Sequence, residues 1–186
     1  NCMEPPQPSP IRNIGARHWK SRFSRCHETL RMIEKKICML GAFAVGKTSL
    51  VRRFVTSCFS EQYQTTIGVT VDKKSMTVDG TPLTMVLWDL YGEDEFQKLR
   101  PSYLRGSAGY LLVLDGMRRA TFDIALHIQQ RATDTLGPVP FVVLINKHDR
   151  RAEWDITDQD LAQLTQRGWS FVMSSAKTGE GVEEAF

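Results

Sequence analysis

The fold is decided by the stretch Gly41-Ala42-Phe43-Ala44-Val45-Gly46-Lys47-Thr48, which fits the pattern GxxxxGK[ST]. It follows the apolar run 37–40 and opens a helical run that begins at residue 47. The glycines let the backbone bend close to a phosphate, while successive N–H groups and the helix N-terminus point at its oxygens. Lys47 neutralises the β and γ phosphates, and Thr48 offers its hydroxyl to Mg²⁺. The stretch therefore predicts a nucleoside triphosphate site, but it does not name the base.

Strand-like and helix-like runs alternate after this loop, which is typical of a parallel sheet with helices on both faces. Strands are predicted at 36–40, 69–78, 83–89, 109–115, 141–146 and 169–174, and helices at 47–56, 95–104, 120–135, 157–166 and from 180 onward. The Asp79-Gly80 turn is too short for a parallel crossover, so the second and third strands should be antiparallel. We expect an α/β fold with a six-stranded, mostly parallel sheet and one antiparallel strand.

Composition excludes several classes of protein. A net charge of +3 over 186 residues is too small for nucleic acid to be the main partner, and most of the positive charge precedes residue 37. The four cysteines lack CxxC spacing, which favours a reducing compartment. No apolar run approaches the ~18 residues of a membrane-spanning helix. We therefore expect a cytoplasmic monomer that does not bind nucleic acid.

The N-terminal part, residues 1–34, is predicted to be an extension of the domain at 35–186, whose final helix we expect to be truncated. Its first ten residues include four prolines, a composition typical of a flexible tail. Between 16 and 34, apolar residues recur at helical spacing with basic residues on the other faces; they are Trp19, Phe23, Cys26, Leu30 and Ile33. Such a helix either packs on the domain or frays, or it binds a membrane surface or a partner. We expect membrane contact only through this basic helix.

The base is indicated by Asn146-Lys147-His148-Asp149, an NKxD segment directly after the apolar run 141–145. At the carboxyl end of a parallel strand it would line the ligand crevice. The Asp149 carboxylate can accept hydrogen bonds from the N1–H and the exocyclic amine of guanine, and adenine does not offer this pair of donors. An unpaired carboxylate penalises the wrong base, so guanine is predicted.

With these segments in this order, and with Thr65-Thr66-Ile67-Gly68, Asp89-Leu90-Tyr91-Gly92 and Ser175-Ala176-Lys177, the chain resembles the Ras-like small GTPases from about Lys35 to Phe186. Rab-like members and their bacterial relatives are nearest in motif. The resemblance implies the P-loop fold of small G proteins, GTP or GDP with Mg²⁺ as ligands, and hydrolysis of GTP as a molecular switch. Effector and regulator proteins would bind through the switch loops. The implied nucleotide-binding residues are Gly41, Ala44, Val45, Gly46, Lys47, Thr48, Ser49, Phe59, Tyr63, Thr66, Gly92, Asn146, Lys147, Asp149, Ser175, Ala176 and Lys177.

The resemblance also implies individual roles. Phe59 would stack on the base, Tyr63 would cover the phosphates, and the Ala176 amide would contact the guanine carbonyl. The implied metal ligands are Thr48, Thr66 and Asp89, the last through water. The Gly92 amide would contact the γ-phosphate. The implied catalytic residues are Lys47, Thr66, Gly92 and Glu93. Because Thr66 and Gly92 would both be held by the γ-phosphate, hydrolysis would release two loops together.

Two departures from the family fall at the chemistry. Phe43 occupies a position where relatives carry a small residue, and Glu93 follows the DxxG glycine where most carry a glutamine that orients the attacking water. Glu93 accepts a hydrogen bond from water but cannot donate one to the developing charge, so slow hydrolysis is expected. Alternatively, Phe43 points out of the site and Glu93 serves as an adequate acceptor. A scaffold that depends on bound GTP and scarcely hydrolyses it, and the GTPase part of a larger protein, are the competing interpretations.

Overall fold

The computed structural model of the chain describes residues 33–60, 68–90 and 100–186, all of which lie in the unit Met32–Phe186. The predicted N-terminal helix up to residue 32 lies outside the described residues, as do Tyr63, Thr66, Gly92 and Glu93. The strands are β1 (Ile33–Gly41), β2 (Val69–Val78), β3 (Thr81–Leu90), β4 (Gly109–Asp115), β5 (Phe141–Asn146) and β6 (Phe171–Met173). The helices are α1 (Lys47–Thr56), α2 (Pro101–Leu104), α3 (Ala120–Leu136), α4 (Asp158–Gln166) and α5 (Val182–Ala185), with a 3₁₀ helix at His148–Glu153.

The strands form one six-stranded sheet in the order β2-β3-β1-β4-β5-β6. The β2–β3 pair is antiparallel and the other pairs are parallel, which confirms the predicted α/β architecture. The β2–β3 hairpin turns at Asp79 and Gly80, which both have positive φ (49° and 77°). Two consecutive positive φ angles are what a tight hairpin turn needs, so this turn follows from its sequence.

Several predicted boundaries were wrong. β1 begins at Ile33, where Ile33 pairs with Leu83, so Ile33 and Glu34 belong to the strand and not to the helix that their spacing suggested. Pairing with a strand fifty residues away overrides a local helical period. β6 is shorter than predicted, α5 starts at Val182, and the 3₁₀ helix after the NKxD segment was not predicted.

The core lies on both faces of the sheet. Every residue of β4 is buried, and its side chains alternate between the two layers: Tyr110, Leu112 and Leu114 face one, Leu111 and Val113 the other. α3 covers the first layer, whereas α1 and α5 cover the second. Since the parallel strands are covered on both faces, their carboxyl ends are where a ligand crevice forms. None of the described helices is long and apolar enough to cross a lipid bilayer.

Candidate nucleotide-binding site

The phosphate loop leaves β1 through a glycine that no other residue can replace without displacing the backbone. Gly41 has φ 141°, and a Cβ there would lie 2.2 Å from the Val113 carbonyl oxygen. Gly46 has φ 99°, and a Cβ there would lie 2.3 Å from Asn146 Nδ2. The loop is therefore pressed against β4 on one side and against the end of β5 on the other.

Lys47 lies across the phosphate loop at the start of α1. Its side chain is buried, and Nζ donates to the carbonyl oxygens of Gly41 (2.8 Å) and Ala42 (2.9 Å). These bonds hold the ammonium group over the bend of the loop. Its charge is thus placed where the loop amides would receive an anion.

Thr48 and Asp89 bring a hydroxyl and a carboxylate together beside the loop. Thr48 Oγ1 donates to Asp89 Oδ2 over 2.5 Å, and Asp89 is buried near the carboxyl end of β3. Hydroxyl and carboxylate oxygens are the ligand type that Mg²⁺ takes from proteins. Ser49 follows in the first turn of α1 and is half-buried.

Asn146 ties three of the predicted segments to one another. Its Nδ2 donates to the Val45 carbonyl (2.9 Å), and its Oδ1 accepts from the Ala176 amide (3.1 Å). The side chain is buried, so both bonds are shielded from water. Here the Ala176 amide, to which the resemblance gives a contact with the guanine carbonyl, is a donor to Asn146.

Asp149 is held by the Ser175 hydroxyl. Ser175 Oγ donates to Asp149 Oδ1 (2.6 Å) and accepts from the Thr178 amide (3.1 Å), and Ser175 is fully buried. The exposed carboxylate of Asp149 is thereby given a fixed orientation. An oriented carboxylate is what recognition of paired N–H donors requires.

Lys147 adopts the left-handed conformation, with φ 69°, and its Nζ donates to Asp115 Oδ2 (2.7 Å). Its carbonyl accepts from Trp154 Nε1 (3.0 Å). The Trp154 ring lies so close to Gly116 that a Cβ there would be 2.2 Å from it. Sequence reasoning missed Asp115, for which the signals were an acidic residue at a strand end and the glycine after it.

Arg53 connects α1 to the Ser175-Ala176-Lys177 segment. Its guanidinium donates to the carbonyls of Ala176 (2.8 Å), Lys177 and, at the end of α1, Ser57 (2.9 Å). Its guanidinium carbon lies 5.9 Å from the ring centre of Phe59, the predicted base-stacking residue. Arg53 therefore supports two sides of the predicted base pocket, and no motif contains it.

The structure thus brings together the predicted residues of the phosphate loop, Asp89, Phe59, the NKxD segment and the Ser175-Ala176-Lys177 segment. Phe43 is 40% exposed, and its carbonyl oxygen accepts a hydrogen bond from Arg118. Tyr63, Thr66, Gly92 and Glu93 are outside the described residues and remain predictions.

The similarity to known proteins covers the part of the chain that contains these segments. The sequence model of the Ras family matches residues 36–186. Ras-related protein Rab-18 of Caenorhabditis briggsae is 34% identical over 153 residues, which cover 81% of this chain and 76% of the relative. Rab-18 of Lymnaea stagnalis and Rab-18 of Caenorhabditis elegans are each 33% identical over 153 residues, covering 81% of this chain and 76% and 75% of those proteins.

Proposed function

The chain belongs to the Ras family, whose members are small GTP-binding proteins that act as GTPase switches, and from this membership we propose how its own residues hold and hydrolyse the nucleotide. The observation that carries the proposal is Asn146, which bonds the phosphate loop through Val45 and the Ser175-Ala176-Lys177 segment through Ala176. One buried side chain thus organises the segments predicted to bind phosphate and base.

The phosphates lie against the loop 41–48, with Lys47 over its bend. Thr48 and Asp89, which are in contact with each other, would hold Mg²⁺ together with Thr66, Asp89 through a water molecule. When bound, Mg²⁺ neutralises charge on the phosphate oxygens. The protein's contribution is to place the phosphates, the lysine and these oxygen ligands in one geometry before the reaction.

Guanine is recognised by Asp149, whose carboxylate is oriented by Ser175. Asp149→Asn tests this assignment, because it replaces an acceptor oxygen by an amide donor. We expect the variant to bind GDP at least about tenfold more weakly than the wild type does. It should bind xanthosine diphosphate, which carries a carbonyl in place of the guanine amine, more tightly than the wild type does.

The matched control is Asp155→Asn, an exposed aspartate close in sequence. Its affinities for both nucleotides should equal those of the wild type. Equilibrium competition against a fluorescent GDP measures these affinities for the wild type and both variants. An Asp149→Asn protein with unchanged preference for GDP would refute the assignment.

Hydrolysis is slow in this proposal because Glu93 replaces the usual glutamine. Glu93→Gln should raise the single-turnover rate of GTP hydrolysis, and Glu95→Gln, which makes the same change two residues later, should not. A Glu93→Gln rate equal to or below that of the wild type would sink this explanation. Two explanations of slow hydrolysis would then remain. Either Phe43 causes it, or the protein is a scaffold in which bound GTP controls a binding surface without turnover.

The switch loops containing Thr66 and Glu93 are the proposed surface for effectors and regulators. The protein acts in the cytoplasm as a monomer, and only the basic segment before residue 35 contacts membranes. Co-sedimentation with vesicles of mixed neutral and anionic lipids tests the last point. Binding that persists after deletion of residues 1–32, which leaves β1 intact, would contradict it.

A further inference from the structure

Asp115, at the end of β4, is a buried carboxylate that belongs to none of the nucleotide-binding motifs. Its side chain has no exposed surface. Oδ2 accepts from Lys147 Nζ (2.7 Å) and from Arg118 Nε (2.8 Å), and Oδ1 accepts from the Met117 amide (3.1 Å). Two cations therefore share one buried oxygen, and one of them comes from the base-recognition segment.

The second cation, Arg118, extends this contact to the phosphate loop. While Nε bonds Asp115, Nη2 donates to the carbonyl oxygen of Phe43 (2.7 Å). The two carbonyls that precede Phe43, those of Gly41 and Ala42, are held by Lys47. Three consecutive carbonyls of the loop are thus bound by cationic side chains, and the rigid guanidinium fork fixes the distance between Asp115 and the loop.

We propose that Asp115 and Arg118 are positioning residues that join the base-recognition segment to the phosphate loop, so that retention of GDP depends on a contact outside all of the motifs. The inference rests on the proposed function, because it takes the loop to hold the β-phosphate. A loop backbone fixed at Phe43 presents its amides to phosphate without first being ordered, and this lowers the cost of binding.

Arg119 provides a matched comparison. It is adjacent to Arg118, its side chain has similar exposure (38% against 44%), and it likewise bonds two partners, here through two ion pairs. Those pairs join Asp123 on α3 (3.0 Å) and Asp160 on α4 (2.8 Å). Replacing Arg119 removes the same charge without touching the link between Asp115 and the loop.

The test measures the affinities of the full chain for GDP and GMP by competition against a fluorescent GDP. Arg118→Met should weaken GDP about tenfold, because it removes two charge-assisted hydrogen bonds, and GMP by less than about threefold, because GMP lacks the phosphate that the loop holds. Asp115→Asn, which removes the negative charge that both cations share, should weaken both nucleotides. Arg119→Met should stay within about twofold of the wild type for each.

A general loosening of the domain would weaken GDP and GMP by the same factor, so equal factors for Arg118→Met would overturn the proposal. So would an Arg118→Met protein that behaves like Arg119→Met. Arg118→Lys guards against a folding defect: it keeps the positive charge but loses the planar fork whose Nε and Nη2 reach Asp115 and the Phe43 carbonyl separately, so its GDP affinity should be intermediate. An Arg118→Lys affinity equal to the wild type would overturn the role given to the guanidinium fork, whereas a wild type that binds ADP as well as GDP would instead refute the proposed function.

Discussion

Asn146→Ala is the substitution that most directly tests how the site is built. The amide of Asn146 donates to the Val45 carbonyl over 2.9 Å and accepts from the Ala176 amide over 3.1 Å. Alanine removes both bonds and leaves the two backbone groups facing a space that the side chain filled. Because the residue is only 2% exposed, water does not readily replace the lost partners.

The expected cost follows from these two bonds. Each buried hydrogen bond contributes about 1 kcal/mol net, and a backbone group left without its partner adds up to a further ~1 kcal/mol, so the total loss should be about 2–4 kcal/mol. That is a large share of the ~5–15 kcal/mol that stabilises a typical domain. The loss should also weaken GDP binding about 30-fold or more, because both the phosphate loop and the base pocket lose their common support.

Urea unfolding, followed by tryptophan fluorescence at two GDP concentrations, separates the two effects. Bound nucleotide adds a concentration-dependent increment to the free energy of unfolding, and the remainder is the stability of the domain itself. The control is Gln130→Ala, which removes a primary amide from an exposed pair with Asp134 (2.9 Å) and should cost less than about 0.5 kcal/mol. If Asn146→Ala lowers the free energy of unfolding by no more than this control does, Asn146 does not join the loops as described.

Three further predictions concern the frame of the domain. Thr157 and Asp160 form a capping box at the start of α4, and although burial opposes ionisation, hydrogen bonds from Thr157 and a neighbouring arginine hold the pKa of Asp160 below its ordinary range. The stabilising effect of the ionised carboxylate is therefore complete above the unfolded pKa of about 3.9 and is lost as pH falls towards the folded value. Asp160→Asn should lower the free energy of unfolding in urea by about 1 kcal/mol at pH 7 and by less at pH 3. An equal loss at both pH values would contradict this. Burial raises the pKa of the Cys38 thiol despite its hydrogen-bond partner and a nearby lysine, whereas Cys58 is exposed; with the two N-terminal cysteines replaced by serine, a thiol reagent at neutral pH should modify Cys58 alone, as mass spectrometry would show, and early labelling of Cys38 would refute its burial. Gly41→Ala would place a methyl group 2.2 Å from a backbone carbonyl and should lower the free energy of unfolding by more than about 2 kcal/mol, a prediction that fails if the variant's urea midpoint matches the wild type.

Much of the fold could be predicted because its signals are local. The apolar runs of β4 and β5, the Asp79-Gly80 turn and the glycines of the phosphate loop each satisfy a steric or solvation requirement within a few residues. The order of the motifs along the chain then placed the phosphate loop, Asp89 and the NKxD segment at one edge of the sheet, as parallel strands require. The predicted positions of these residues therefore follow from short-range chemistry combined with topology.

The supporting residues could not be predicted, because their contacts join distant parts of the chain. Arg53 bonds the Ala176 carbonyl 123 positions away, and Arg118 bonds the Phe43 carbonyl 75 positions away. In the sequence each is one basic residue among the 24 lysines and arginines, and nothing distinguishes it from a surface charge. Backbone carbonyls, moreover, carry no side-chain signal, so a residue that acts by binding them appears in no pattern.

The division between support and chemistry implies that retention and hydrolysis of the nucleotide can be changed separately. Asn146 and Asp115 are buried and hydrogen-bonded to other segments, and they act on the loops proposed to hold phosphate and base. Glu93, in contrast, occupies the position predicted to orient the attacking water. Glu93→Gln should therefore raise the single-turnover hydrolysis rate and leave the GDP dissociation rate within about twofold of the wild type, because Asn146, Asp115 and Arg118 keep their side chains. If the same substitution accelerates GDP release as much as hydrolysis, the residue that controls water is also part of the support, and the two properties are not separable in this protein.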